Sequence, residues 1–429
     1  MFWKNWKKPI DNQIFRLIQQ FCLRESCRII SLALLLPFGS AFCEGPVRKT
    51  KITPLDERML QFIRNRDFPG AVLLVLKDGK PVISKSWGET WYNSGQRPGP
   101  GTTLYDLASV TKAVAIGITL MHMVEQGRVS ENDTLGKYVK AARGYPLGKL
   151  SIERLLAHKT GLPPYYFSNY WLLSTNKWNE SSFPAIAGPE NQDPFRGKYL
   201  PSGYRQGMLR DLCRLPFTGR MKTIYSDLNY ILLGCLVEEV SGKRLDEYLN
   251  DWLFRPMGLK NITFNPLVNG FTKKQIAPTL DDPLYHGWVN DAEAAKLAGI
   301  CGAAGLFSNA GDLAEIGLML QSEGLYKGKR FLKPATIRKF AWQIQPGHAR
   351  AMGWQKPARS RNIKSIAPSK ASQNSFGHTG YTGTLFWVDP TKDLVIVFLT
   401  NVTYPKDGIS TFKKYAGYKT VLKLVYDRI

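Results

Sequence analysis

The chain has 429 residues and carries 58 lysines and arginines against 34 acidic residues, a formal net charge of +24. At 44% hydrophobic and 21% charged residues, it has the makeup of a globular protein with a large core, which excludes a disordered or fibrous chain. So basic a protein is drawn to polyanions; with no nucleic-acid recognition motif, the partner indicated is an anionic cell-envelope surface and not nucleic acid.

Residues 1–43 read as a signal peptide or an N-terminal anchor, and residues 44–429 as the folded domain. Lys4, Lys7, Lys8, Arg16, Arg24 and Arg28 precede a short apolar run from Ile29 to Phe38, followed by the small residues Gly39, Ser40 and Ala41. The run is too short to span a bilayer, so export to the periplasm or cell envelope is expected, with the leader either removed or retained as an anchor. Cys22 and Cys27 fall in the leader, and Cys213, Cys235 and Cys301 show neither a disulfide framework nor a Cys/His metal spacing. No metal or other cofactor is expected.

Pro54 to Arg66 reads as a helix, and residues 71–76 and 81–84 as two strands joined by an Asp78-Gly79 turn. Ser109-Val110-Thr111-Lys112 then opens an apolar run reaching Met121, which reads as a buried helix over Val110–Gln126. A serine and a lysine three apart share a helical face, where the amine can take the hydroxyl's proton, and the helix start favours developing negative charge. Ser-x-x-Lys recurs at Ser174-Lys177 and Ser410-Lys413, but only Ser109 leads into a buried helix.

Further helices are expected at Ile152–Leu156, Leu228–Val240, Leu245–Leu253 and Ala310–Gln321. Residues 163–205 contain ten aromatic side chains without periodicity; they read as a substrate lid or as an insertion packed on the helical part. Tyr225-Ser226-Asp227 sits at a loop-to-helix junction, either facing a cleft or serving as a packed tyrosine with Asp227 as cap. His122 and His158 lie in partly apolar helical segments and are expected to be structural.

Phe376 to Gly383 reads as a glycine-flanked strand carrying His378, able to approach a ligand by its backbone; a tight turn with an exposed histidine is the other reading. A hairpin of residues 384–388 and 394–399 and a helical tail, Phe412 to Tyr426, complete the chain. Strands at both ends with helices between predict an α+β fold: one antiparallel sheet built from the two termini, flanked by helices, with an inserted mainly helical lobe.

The order Ser109-x-x-Lys112, Tyr225-x-Asp227, His378-Thr379-Gly380 resembles the three motifs of serine β-lactamases and penicillin-binding proteins. The likeness is to the class C β-lactamase-like branch and, within it, to the penicillin-binding protein 4B group. It extends through residues 155–163, Ala304–Ser308 and Gly380–Asn401. The resemblance implies a transpeptidase-like fold over residues 44–429, Ser109 as acylated nucleophile, Lys112 as its base and Tyr225 as proton shuttle. It also implies that backbone N–H groups of Ser109 and Tyr381 form an oxyanion hole, and that Asp227, His378, Thr379, Gly380 and Tyr381 bind substrate. Asp227 stands where the family more often has asparagine, and His378 where β-lactamases have lysine. A neutral imidazole weakens the grip on a substrate carboxylate, which favours a peptidase or esterase over a β-lactamase. The expected function is an exported D,D-carboxypeptidase-type penicillin-binding protein taking a peptidoglycan-derived peptide or a β-lactam. An esterase or D-aminopeptidase of the same fold is the alternative, and a non-catalytic cell-wall binding protein is the rival from a different class.

Overall fold

The computed structural model describes residues 52–165, 194–195, 198–215, 223–345, 347–360, 362–412 and 416–429. The leader, and most of the aromatic segment 163–205, lie outside the described residues.

Two apolar runs near the chain ends meet as neighbours. Strand β1 (Gly70–Lys77) pairs antiparallel with β2 (Lys80–Gly88) through the tight Asp78-Gly79 turn. On its other side β1 pairs with strand β8 (Leu394–Thr400), with Ala71 opposite Thr400 and Lys77 opposite Leu394. Strands β6 (Phe376–Thr379) and β7 (Leu385–Asp389) extend the sheet to the order β6-β7-β8-β1-β2. A smaller sheet is formed by β3 (Tyr105–Asp106), β4 (Ile262–Phe264) and β5 (Leu306–Ser308), in the order β3-β5-β4.

Alternation along the strands sends successive side chains to opposite faces. Leu73, Val75, Ile396 and Phe398 pack under helix α1 (Pro54–Arg64) and the C-terminal helix α6 (Ala416–Arg428), together with Leu55, Met59, Val421 and Leu422. Val72, Leu74, Val397 and Leu399 face the helical part of the molecule. Both faces are covered, which is why these strands read as continuous apolar runs. Helix α1 begins at a capping box in which Thr53 and Asp56 bond each other's backbone N–H, and Asp56 also pairs with Lys85 on β2 at 2.8 Å.

The helices of the helical part include α2 (Ile118–Glu125), α3 (Ile152–Leu156), α4 (Asp227–Ser241) and α5 (Ala310–Gln321). The helix expected over Val110–Gln126 forms, but its first turns, Lys112–Gly117, are π-wound before α2 begins. The sequence between Leu245 and Phe254 likewise starts as an α-helix and widens to a π-turn at Asn250. One strand is shorter than expected. Phe376 to Gly383 stays extended only to Thr379, after which Gly380–Thr384 is a tight turn closed by Gly380 N–H to Thr384 O at 2.7 Å. Within that turn Gly383 takes φ +101°, a conformation open to glycine.

Candidate active site

Strand β3 delivers the chain to Ser109. Between them, Ala108 adopts φ +45°, a left-handed conformation that an L-residue holds only when its surroundings impose it. Those surroundings are the buried carboxylate of Asp106, which accepts from Ala108 N–H and Asn290 N–H, each at 2.8 Å. Burial pushes the Asp106 carboxyl up to about 6, against the pull of the two N–H groups.

Lys112 is fully buried, and its Nζ lies 2.8 Å from three oxygens: Ser109 Oγ, Ala303 O and Asp227 Oδ1. Ser109 Oγ and Ala303 O accept hydrogen bonds from the amine, and Asp227 meets it as an ion pair. Burial alone pushes the amine down, but the charge of Asp227, and after it the Tyr225 phenol, override that and hold Lys112 above the usual lysine range. Lys112, expected as the base for Ser109, is thus held towards its charged form by the carboxylate that Asp227 places where the family more often has asparagine.

Asp227 is the first residue of α4 rather than its cap; Ser226 holds the cap position, and Asp227 N–H donates to Pro164 O at 2.8 Å. Tyr225, two residues earlier, is half-buried in a cage of basic side chains. Its ring lies 5.2 Å from Lys112 Nζ, 4.8 Å from the Arg350 guanidinium carbon and 4.5 Å from the His158 ring centroid. His158 braces this segment from both sides, its O accepting from Ile224 N–H and its Nδ1 from Ser226 N–H, each at 3.1 Å. Nδ1 as acceptor puts the ring proton on Nε2. The structural role expected for His158 is thus to support Tyr225. His122 stacks flat on Trp252, with centroids 4.1 Å apart.

His378 has the opposite tautomer. Its Nδ1 donates to Thr379 O at 2.8 Å, which leaves the Nε2 lone pair buried and without a partner. The ring is 1% exposed, so the exposed histidine of the turn reading is not found. Burial, then the charges of Arg350 and Lys112, push His378 well below the usual histidine range and keep it neutral. Its ring centroid lies 6.2 Å from that of Tyr225.

The turn after His378 is fastened to the chain just before Ser109. Thr382 Oγ1 donates to Asp106 O at 2.6 Å, and Thr384 Oγ1 to Leu107 O at 2.9 Å. A Cβ at Gly380 would lie 2.1 Å from Thr384 Oγ1 and 2.3 Å from Leu107 O, so only glycine fits. Thr379 Oγ1 accepts from Gln355 Nε2 at 3.1 Å, and Tyr381 is half exposed, its hydroxyl 2.5 Å from Asp407. The structure thus gathers Ser109, Lys112, Tyr225, Asp227 and His378, and ties Gly380 and its neighbours to the same loop. Ser174 lies outside the described residues, while Ser410 bonds Asp67 rather than any of these groups.

Sequence reasoning missed three contributors. Asp106 is an unremarked acid beside the serine, Ala303 acts through its carbonyl, and Arg350 is one of 58 basic residues. Among the described residues no group of three His, Cys, Asp or Glu side chains is placed to hold a metal ion.

The Beta-lactamase family pattern matches residues 55–417. An N-acetylmuramyl-L-alanine amidase of Bacillus subtilis (strain 168) is 30% identical over 400 residues, covering 84% of this chain and 85% of the relative. A protein of Escherichia coli (strain K12) named for D-alanyl-D-alanine carboxypeptidase is 32% identical over 365 residues, 78% of each chain. The class C β-lactamase of Rhodobacter sphaeroides superposes with a TM-score of 0.59 at 18% identity, covering 87% of this chain and 99% of its own, which shows a shared fold. With its α+β architecture and motif order matched over this length, the chain belongs to the β-lactamase family and is a serine hydrolase.

Proposed function

We propose that the protein cleaves an amide bond in a cell-wall peptide through an acyl-enzyme on Ser109, as a D,D-carboxypeptidase. The observation that carries this reading is the 2.8 Å contact between Lys112 Nζ and Ser109 Oγ within the Lys112–Asp227 ion pair.

In this mechanism Ser109 Oγ attacks the substrate carbonyl and gives its proton to Lys112 as Lys112 passes one of its own to Asp227. The ammonium thereby serves as a relay with a carboxylate behind it. Tyr225 protonates the departing nitrogen and is reprotonated from the Lys112–Asp227 pair, so the serine proton ends on the leaving group. Backbone N–H groups at Ser109 and Tyr381 take the oxyanion. Water then hydrolyses the ester. Arg350 supplies the permanent cation that neutral His378 does not, and so anchors a substrate carboxylate. Export, supported by the basic leader, brings the enzyme to peptidoglycan and to an anionic envelope surface.

The test is release of D-alanine from a muramyl pentapeptide by the purified protein, with loss in Ser109→Ala and a covalent penicillin adduct on Ser109 found by mass spectrometry. Full activity in Ser109→Ala would refute the assignment. A second reading, cleavage of the muramyl-L-alanine bond, is supported by the Bacillus relative's name and would release the whole peptide instead of D-alanine.

A further inference from the structure

The carbonyl oxygen of Gly380 accepts two hydrogen bonds. Gly383 N–H donates to it at 3.0 Å within the turn after β6, and the hydroxyl of Tyr418, reaching across from the C-terminal helix α6, donates to it at 2.6 Å. Both lone pairs of that oxygen are then in use, which fixes the plane of the peptide joining Gly380 to Tyr381.

Tyr418 has little freedom to point elsewhere. Its side chain is 6% exposed and packs in the core beneath the sheet with Phe398, Val402 and Phe412, its ring standing edge-on to that of Phe412 with centroids 5.0 Å apart. A Cβ at the preceding Gly417 would lie 2.3 Å from the Phe412 ring, so the start of α6 sits flush against it. A buried phenol needs an acceptor, and Tyr426 on the same helix meets that need with the Asp389 carboxylate at 2.7 Å. Tyr418 differs in what it bonds. The other end of its acceptor peptide is Tyr381 N–H.

In a trans peptide the C=O and the N–H point in opposite directions, and among the described residues only Tyr404-Pro405 is cis. A carbonyl held against α6 therefore turns the Tyr381 N–H away from that helix. Leu107 and Val110, on either side of Ser109, belong to the core on the opposite face of the sheet from α6. The turn itself is fastened to this loop through Thr382 and Thr384. Hydrogen bonds in series also polarise one another, so a phenol on the carbonyl makes the N–H a better donor.

We propose that Tyr418 is a positioning residue for the oxyanion: it sets the Gly380 carbonyl so that Tyr381 N–H meets the negative charge formed when Ser109 is acylated. The inference rests on the acyl-enzyme reading above and deepens it. A group that acts on the oxyanion alone lowers the barrier without changing how substrate binds.

The test compares the full-length protein with Tyr418→Phe, which removes the hydroxyl and keeps the ring, and with Tyr426→Phe, which removes a buried hydroxyl of the same helix that does not touch the turn. Each is assayed with a nitrophenyl acetate ester and with phenylboronic acid. The boron takes Ser109 Oγ as a fourth ligand while the serine proton passes to the Lys112–Asp227 pair, leaving an anionic boronate oxygen where the oxyanion would form. Tyr418→Phe is expected to lower kcat about tenfold and weaken boronate binding by a similar factor, less than the roughly hundredfold cost of deleting a donor outright, with KM changed less than about twofold. Tyr426→Phe should leave all three values as they are. Unchanged kcat and boronate affinity in Tyr418→Phe overturn the proposal while the hydrolase reading stands; equal losses in the two variants overturn it as well, marking a structural role only. A wild-type protein that neither hydrolyses the ester nor binds the boronate at Ser109 removes the acyl-enzyme reading, and the proposal with it.

Discussion

Asp227 Oδ1 sits 2.8 Å from the buried ammonium of Lys112, and this pair decides the resting charge of the site. With the carboxylate present, the amine is held above its ordinary range despite burial. Asp227→Asn removes the opposing charge and lets burial dominate, so Lys112 should lose its proton within the assay range. The kcat/KM profile of this variant should gain a rising limb with pH that the wild type lacks. An unchanged profile would show that the pair does not set the protonation state.

Asp106 should matter for both rate and stability. Asp106→Ala orphans the N–H groups of Ala108 and Asn290, at about 1–3 kcal/mol for each buried unsatisfied group. The strained turn at Ala108 then relaxes, and Ser109 moves from its position. Denaturant unfolding should show the stability loss, and kcat should fall with KM changed less.

His158 and His378 are both held far below the 6.5 of a free imidazole. The unfolded chain takes up protons below pH 6.5 that the folded chain refuses, so stability is lost as pH falls. Each group contributes up to about 1.4 kcal/mol per pH unit in that window. Urea melts between pH 7 and 5 check the slope. His378→Asn should remove one increment of it.

Lys356, buried and with no hydrogen-bond partner for its Nζ, continues the same trend on the alkaline side. Its amine sits at about 7 in the folded protein and 10.5 when free, so across that window the unfolded chain alone keeps the proton and stability rises with pH. Lys356→Met should raise the melting temperature at pH 7, and the gain should vanish towards pH 10.5. A variant less stable than wild type at pH 7 would contradict the unpaired-amine picture.

Gly380→Ala places a methyl group about 2 Å from Thr384 Oγ1 and the Leu107 carbonyl. The turn must lift off the Ser109 loop, and acylation of Ser109 by a penicillin probe should fall by at least tenfold.

What the sequence made legible depended on local signal. The first hairpin announced itself by an apolar run and an Asp-Gly turn, and Ser109 by the buried helix behind it. The groups that escaped notice act across long separations in the chain. Ala303 reaches Lys112 through a backbone oxygen, and no residue type encodes that. Arg350 earns its place by lying over Tyr225, 125 residues earlier by the numbering. The stretch after His378 left strand and tight turn both open, and Gly380 and Gly383 bend it to meet Asp106 and Leu107. For Lys112, the sequence offers an acid at 227 where asparagine is usual, but no spacing rule provides its 2.8 Å contact with the amine.

The central ladder joins β1 to β8, so residues 70–77, already paired with β2 on one side, find their second partner only in residues 394–400. A chain released or stalled before that second stretch owns a hairpin with one open, apolar edge and nothing to close it. The crevice, whose His378 rides on the same sheet, exists for the first time only once almost the entire polypeptide has been made. Assembly is therefore governed by the last strand to arrive, and an early truncation yields an adhesive fragment instead of a weaker enzyme.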